Sequence, residues 1–88
     1  MFEFDPEKSE VNLAKHGIDF EAAQLVWQDI GRVVVSARSD TEPRFAVIGT
    51  IEQKRWTVFA TMRDDAVRII SARRSRESEV KIYEAQND

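Results

Sequence analysis

An α+β fold is predicted by three features of the sequence: two capped helical segments near the N-terminus, four strand-like runs joined by turn-forming separators, and a last capped helical segment. Short separators make consecutive strands antiparallel neighbours. The expected architecture is an antiparallel sheet of four main strands plus a short N-terminal strand, with two N-terminal helices and one C-terminal helix. The helices are expected on one sheet face, leaving the other partly open.

In chain order, Phe2 to Phe4 is a short apolar start. Asp5-Pro6-Glu7 then supplies an N-cap, a proline at the first helical position and an acid in the first turn. The helix begun there runs through Val11, Asn12 and Lys15 to His16-Gly17, because glycine accepts the left-handed conformation that ends helices. Asp19 is a second N-cap, for a helix of about three turns carrying Phe20, Ala23, Val26 and Trp27, ending near Gln28-Asp29 before Gly31.

Strands are expected over residues 32–37, 44–51, 55–63 and 66–73, each rich in β-branched and aromatic side chains. A longer loop, Ser39-Asp40-Thr41-Glu42-Pro43, then Glu52-Gln53-Lys54, then Asp64-Asp65 separate them with turn chemistry. Ser75 is expected to cap the last helix, with Glu77 and Glu79 in its first turn and Val80, Ile82 and Tyr83 along it. On the last strand, strict alternation puts Arg68, Ile70, Ala72 and Arg74 on one face and Val67, Ile69, Ser71 and Arg73 on the other. Neither set is purely apolar, so which arginines face outward stays open.

The 88 residues fit a single domain, residues 1–88, with one core and one principal site. There is no cysteine, which excludes a disulfide framework and a thiolate metal cluster and points to a reducing cytoplasm. No run approaches the roughly 20 apolar residues of a membrane span, and the N-terminus lacks the basic and apolar regions of an export signal. The net charge of −3 is unevenly spread. From Arg44 to Lys81 nine basic residues face five acidic ones, so that segment is +4 and the remainder −7. An arginine-rich half can present a phosphate-binding face despite an acidic total, although salt-bridged surface gives the same count.

Two clusters carry usable chemistry. Lys8, Asn12 and Lys15, at spacings of four and three, share one stripe of the first helix, with His16 beside its end. A solvated helix face has the same look, and a histidine before a terminal glycine also suits the helix dipole. Yet His16, the only histidine, is the side chain best poised for proton transfer near neutrality. The second cluster is Arg68, Arg73, Arg74 and Arg76, at a strand end and helix start, where guanidinium forks suit phosphate oxygens. An arginine cluster paired with the acidic half is the other reading.

No metal-ligand spacing, phosphate-cradling glycine loop or nucleophile elbow is present. Chemistry that needs no cofactor remains, namely RNA cleavage through the 2′-hydroxyl. It requires a proton acceptor, cations to stabilise the phosphorane and an acid for the leaving 5′-oxygen. Histidine, lysine, arginine and tyrosine are enough for that.

The spacing of Phe4-Asp5, Lys8, Asn12, Lys15-His16-Gly17-Ile18 and Phe20 resembles the N-terminal pattern of the BrnT family. Arg44-Phe45, the run from Arg68 to Arg74, Glu79 and Tyr83-Glu84 extend the resemblance over nearly the whole chain. Two positions depart from the family pattern: Phe4 where tryptophan is usual, and Val80 where an arginine often follows the glutamate.

The resemblance implies a RelE-like fold and ribonuclease toxicity without metal or cofactor. It also implies neutralisation by a BrnA-like antitoxin with a ribbon-helix-helix region, through which alone operator DNA is contacted. Two toxins are expected on one antitoxin dimer. With side-chain chemistry, it implies that Lys15, Arg44, Arg73 and Arg74 meet the phosphates and that His16 and Tyr83 transfer protons. Lys8, Asn12, Arg63, Arg68 and Arg76 are the expected RNA contacts. The rival expectation is a non-catalytic RNA-binding or co-repressor module acting with a DNA-binding antitoxin.

Overall fold

The structure, a computed structural model, describes residues 1–88. Its elements are β1 (Phe2–Glu3), α1 (Pro6–His16), α2 (Phe20–Ala23) running into a 3-10 turn (Gln24–Gln28), β2 (Val33–Ala37), β3 (Arg44–Ile51), β4 (Lys54–Arg63), β5 (Ala66–Arg74) and α3 (Glu77–Asn87). The four long strands fall within a residue of the expected bounds at each end. They form the antiparallel meander that the separators imply, with Glu52, Gln53 and Asp64 at positive φ in the two tight turns.

The sheet, however, has five strands and is mixed, in the order β1-β5-β4-β3-β2. β1 joins β5 in parallel, with Phe2 opposite Val67 and Glu3 opposite Arg68. Parallel neighbours need a long crossover, and the rest of the chain supplies it. The Val67 N–H donates to the Met1 carbonyl at 2.9 Å, and Phe2 sits edge-on to Trp27 with ring centroids 4.9 Å apart.

The caps of α1 are as the sequence predicts: Asp5 accepts from the Glu7 N–H at 2.9 Å, and Gly17 ends the helix at φ 78°. Asp19 caps α2 by accepting from the Ala22 N–H. The second helix is much shorter than three turns, tightening to a 3-10 turn after Ala23. The turn presses Val26 onto β3, where a Cβ on Gly49 would meet the Val26 Cβ and carbonyl oxygen at 3.0 Å. A side chain there would push Val26 outward by a few tenths of an ångström, so glycine allows the closest approach. Ser75 is not the cap of α3. Its hydroxyl lies 2.8 Å from the Thr57 hydroxyl, and the first turn is closed instead by Glu79, which accepts from the Arg76 N–H at 2.7 Å.

The helices occupy both sheet faces rather than one. α1, α2 and the 3-10 turn cover the face bearing Val47, Val58, Ile69 and Ala72, where Phe20, Ala23 and Val26 complete the main core. α3 lies over one end of the opposite face, where Thr50 and Thr57 bond its Tyr83 and Glu79. The strict alternation expected on β5 is broken by a bulge. Phe59 pairs with Ser71 and Ala60 with Ile69, so Ile70 is the extra residue. The bulge returns Ile69 and Ala72 to the core and puts Arg68, Ser71 and Arg73 together on the face that α3 only partly covers.

Candidate functional site

Two groups of polar side chains meet along β5. The first is on α1, whose inner side is committed to the fold. Ser9 accepts from the Phe20 N–H at 2.9 Å. The Asn12 amide donates to the Ile18 and Ala72 carbonyls at 2.8 and 2.9 Å and accepts from the Ala72 N–H at 3.3 Å, stitching α1 to the backbone of β5. That leaves Glu7, Lys8, Val11, Lys15 and His16 exposed. They line a cavity of about 330 Å³ whose other side is built by Phe20, Ile70 and Ser71. Neither lysine takes part in an ion pair.

The second group lies on the sheet face shared with α3. Strand register places Arg55, Thr57, Phe59 and Thr61 of β4 on this face, beside Thr50, Ala46 and Arg44 of β3 and Arg73, Ser71 and Arg68 of β5. Arg73 donates from Nη1 and Nη2 to the two oxygens of Glu79 at 2.8 and 2.9 Å, and its guanidinium lies 5.1 Å from the Phe59 ring centre. Nη1 also donates to the Arg74 carbonyl at 3.3 Å, so Nε–H and the outer N–H of Nη2 remain as a free edge. Arg68 is paired with Glu3 at 3.0 Å. Arg44 and Arg55 each enclose an Nε–H with no partner.

At the far end of this face Tyr83, 8% exposed, donates to Asp29 Oδ2 at 2.7 Å and accepts from Thr50 Oγ1 at 3.3 Å, with Arg55 stacked 4.3 Å from its ring centre. Arg74 is on the other sheet face, over Trp56 at 5.5 Å. Arg63 and Arg76 are exposed, at the hairpin end of β4 and the start of α3. No three His, Asp or Glu side chains converge on a point where they could hold a metal ion.

A family model for BrnT, the ribonuclease toxin of type II toxin–antitoxin systems, matches residues 4–79. The chain belongs to the BrnT family. A search of curated proteins finds no match. The BrnT match takes in α1, the four long strands β2 to β5, and the Arg73–Glu79 pair; β1 lies before its start and Tyr83 beyond its end. The family carries a ribonuclease toxin with an RNA target and an antitoxin partner.

In this BrnT chain, Lys8, Lys15 and His16 come together at the cavity, while Arg44, Arg68 and Arg73 come together on the sheet face. Ser71 belongs to both groups, and Arg73 follows it on the same face about 7 Å along the strand. Asn12 lies beneath the cavity with its amide bonded to backbone, and Arg74 and Tyr83 stand apart from either group. Arg55, Phe59, Thr57 and Glu79 are the residues that sequence reasoning passed over as part of this face. The two-residue period of β4, which lines up Arg55, Thr57 and Phe59, was a usable signal for three of them.

Two carboxylates hold this face in place. Burial works to raise the pKa of Glu79, but hydrogen bonds from Arg73, the Arg76 N–H and Thr57, with the Arg73 charge, outweigh it and hold the carboxyl below its ordinary 4.5. For Asp29 burial is likewise outweighed by Tyr83, the Gly31 N–H and Thr50, leaving it below 3.8. A pKa lower in the folded chain means stabilisation that is fully present above the unfolded values and is lost as pH falls through the folded ones. Thermal melts at decreasing pH should therefore show stability that is retained down to the ordinary carboxylate range and lost as pH falls below it. Glu79→Gln and Asp29→Asn should each flatten that loss. An acid limb unchanged in both variants would remove these carboxylates from the account.

Proposed function

We propose that this chain is a metal-independent endoribonuclease toxin that cleaves RNA by attack of the 2′-hydroxyl on the adjacent phosphorus. The observation that carries the reading is the BrnT family match over residues 4–79. The geometry adds a run of cations along β5 and a histidine at the rim of a cavity. In the reaction a base removes the 2′-OH proton, the 2′-oxygen bonds to phosphorus, and the 5′-oxygen leaves with a proton from an acid. The products are a 2′,3′-cyclic phosphate and a 5′-hydroxyl.

Lys15, Arg44 and Arg73 are assigned to the phosphates, the free edge of Arg73 offering two parallel donors for one of them, and Arg74, from the opposite sheet face, to a phosphate apart from theirs. Of the two proton-transfer candidates, His16 is the better placed, exposed at the cavity rim. The Tyr83 hydroxyl donates its hydrogen bond to Asp29, and the side chain serves to anchor α3 and to hold Arg55. Lys8, Arg63, Arg68 and Arg76 are assigned to the flanking RNA backbone, and Phe59 offers a ring on which a base can stack. The same reading places the toxin in the cytoplasm and relates the meander to RelE-like folds. A BrnA-like ribbon-helix-helix antitoxin, one dimer carrying two toxins, brings acidic residues to the arginine face and alone contacts operator DNA.

One observation favours the rival, a non-catalytic binding or co-repressor module: the Arg73 fork already holds Glu79 and Arg68 holds Glu3. Growth of a host expressing the chain alone separates the two. The enzyme should arrest growth, with Arg73→Ala or His16→Ala relieving the arrest while leaving the melting temperature unchanged or, for Arg73→Ala, only modestly lowered. A wild-type chain harmless at high expression would favour the binding module.

A further inference from the structure

The cavity between α1 and β5 has features that phosphate binding alone does not require. Val11 is 64% exposed at its edge, an apolar side chain in the middle of an otherwise charged helix face. Across from it the β5 bulge brings Ile70 to the cavity, and the Phe20 ring closes the floor. An apolar slot of about 330 Å³ is of the size that takes small ligands. Lys8 and Lys15, both without ion-pair partners, stand about 10 Å apart along α1, one towards each end of the slot. Glu7, a full helical turn before Val11, adds a carboxylate whose oxygens accept no hydrogen bond and join no ion pair.

We propose that this slot is a nucleobase subsite that takes one unstacked base of the RNA, with Glu7 selecting guanine and Lys8 and Lys15 meeting the phosphates on either side. The proposal rests on the ribonuclease reading for its substrate. Apolar walls suit the faces of a base, and the two cations suit the charge that follows it along the strand. The carboxylate decides the base. Its two oxygens only accept, and guanine alone presents two adjacent donors, N1–H and the N2 amino group, on its Watson–Crick edge. Adenine, cytosine and uracil each place an acceptor beside their donor there, so a carboxylate gains one bond and meets one repulsion.

Titration of the isotopically labelled full chain with guanosine 3′-monophosphate, and with its adenosine, cytidine and uridine counterparts, tests this by amide chemical shifts. The guanine nucleotide should shift Val11, Ile70 and Ser71 and bind about tenfold or more tightly than the others, as expected for hydrogen bonds to a charged acceptor. Glu7→Gln should bring it down to the level of the other three. Val11→Asp, an exposed change that leaves the core intact, should weaken all four. Equal affinity for the four nucleotides would overturn the base selection, and shifts confined to the arginine face would overturn the subsite. Because binding is read without cleavage, an inactive chain that bound guanine nucleotide would sink the ribonuclease reading and leave the subsite standing.

Discussion

Cleavage of single-stranded RNA by the His16→Ala variant is expected to fall by a factor of about 10² to 10⁴, the usual contribution of a positioned proton-transfer group. His16 is exposed and its side chain makes no hydrogen bond or ion pair within the chain, so the loss should come with an unchanged melting temperature. Lys15→Ala, one residue earlier at the same cavity, should reduce cleavage without changing the acid limb of the rate profile, because it acts as a charge rather than as a proton carrier. Initial rates over a range of pH measure both. A His16→Ala chain within threefold of wild type would move proton transfer elsewhere, and Tyr83 would then be the residue to replace.

The largest effect on stability is expected at Asn12. Leucine there removes the donors that serve the Ile18 and Ala72 carbonyls and the acceptor for the Ala72 N–H, all in a buried setting. An unmet buried polar group costs about 1–3 kcal/mol, so Asn12→Leu should cost about 3–5 kcal/mol, a large part of the 5–15 kcal/mol typical of a domain. Asn12→Asp keeps an acceptor for the N–H but sets a carboxylate against two carbonyl oxygens, and should be no better tolerated. Urea unfolding gives the comparison directly. A variant at Asn12 that kept full stability and lost only RNA affinity would return this residue to the binding surface.

Much of the fold was legible because local signals and long-range packing agree. Asp5, Pro6 and Gly17 delimit α1 by chemistry that acts within one turn, and the short separators leave the four long strands no arrangement but a meander. What escaped detection depends on contacts between distant residues. The 3-10 turn follows from the fit of Val26 on Gly49, twenty-three positions later in the chain, and the parallel β1 from pairing with β5 at the other end of the sequence. The bulge at Ile70 matters most for the site. A strict two-residue period separates Arg68 from Arg73, whereas one inserted residue unites them on one face.

The site was legible as residue types and less so as roles. Lys8, Lys15 and His16 do share a surface, as helical spacing requires, but Asn12 of the same stripe turns inward, a difference that only the position of β5 explains. Tyr83 and Arg73 were singled out for their chemistry. Their partners, Asp29 and Glu79, are separated from them by 54 and 6 positions, and it is these carboxylates that decide which of their N–H and O–H groups remain free.

The central claim is that this BrnT chain cuts RNA through its own side chains. The most direct measurement incubates the purified wild-type chain with a defined single-stranded RNA in excess EDTA and identifies the ends of the fragments. The account predicts cleavage at an undiminished rate, leaving 2′,3′-cyclic or 3′-phosphates upstream and 5′-hydroxyls downstream. Cleavage that appeared only on addition of magnesium, or that left 5′-phosphates, would contradict it.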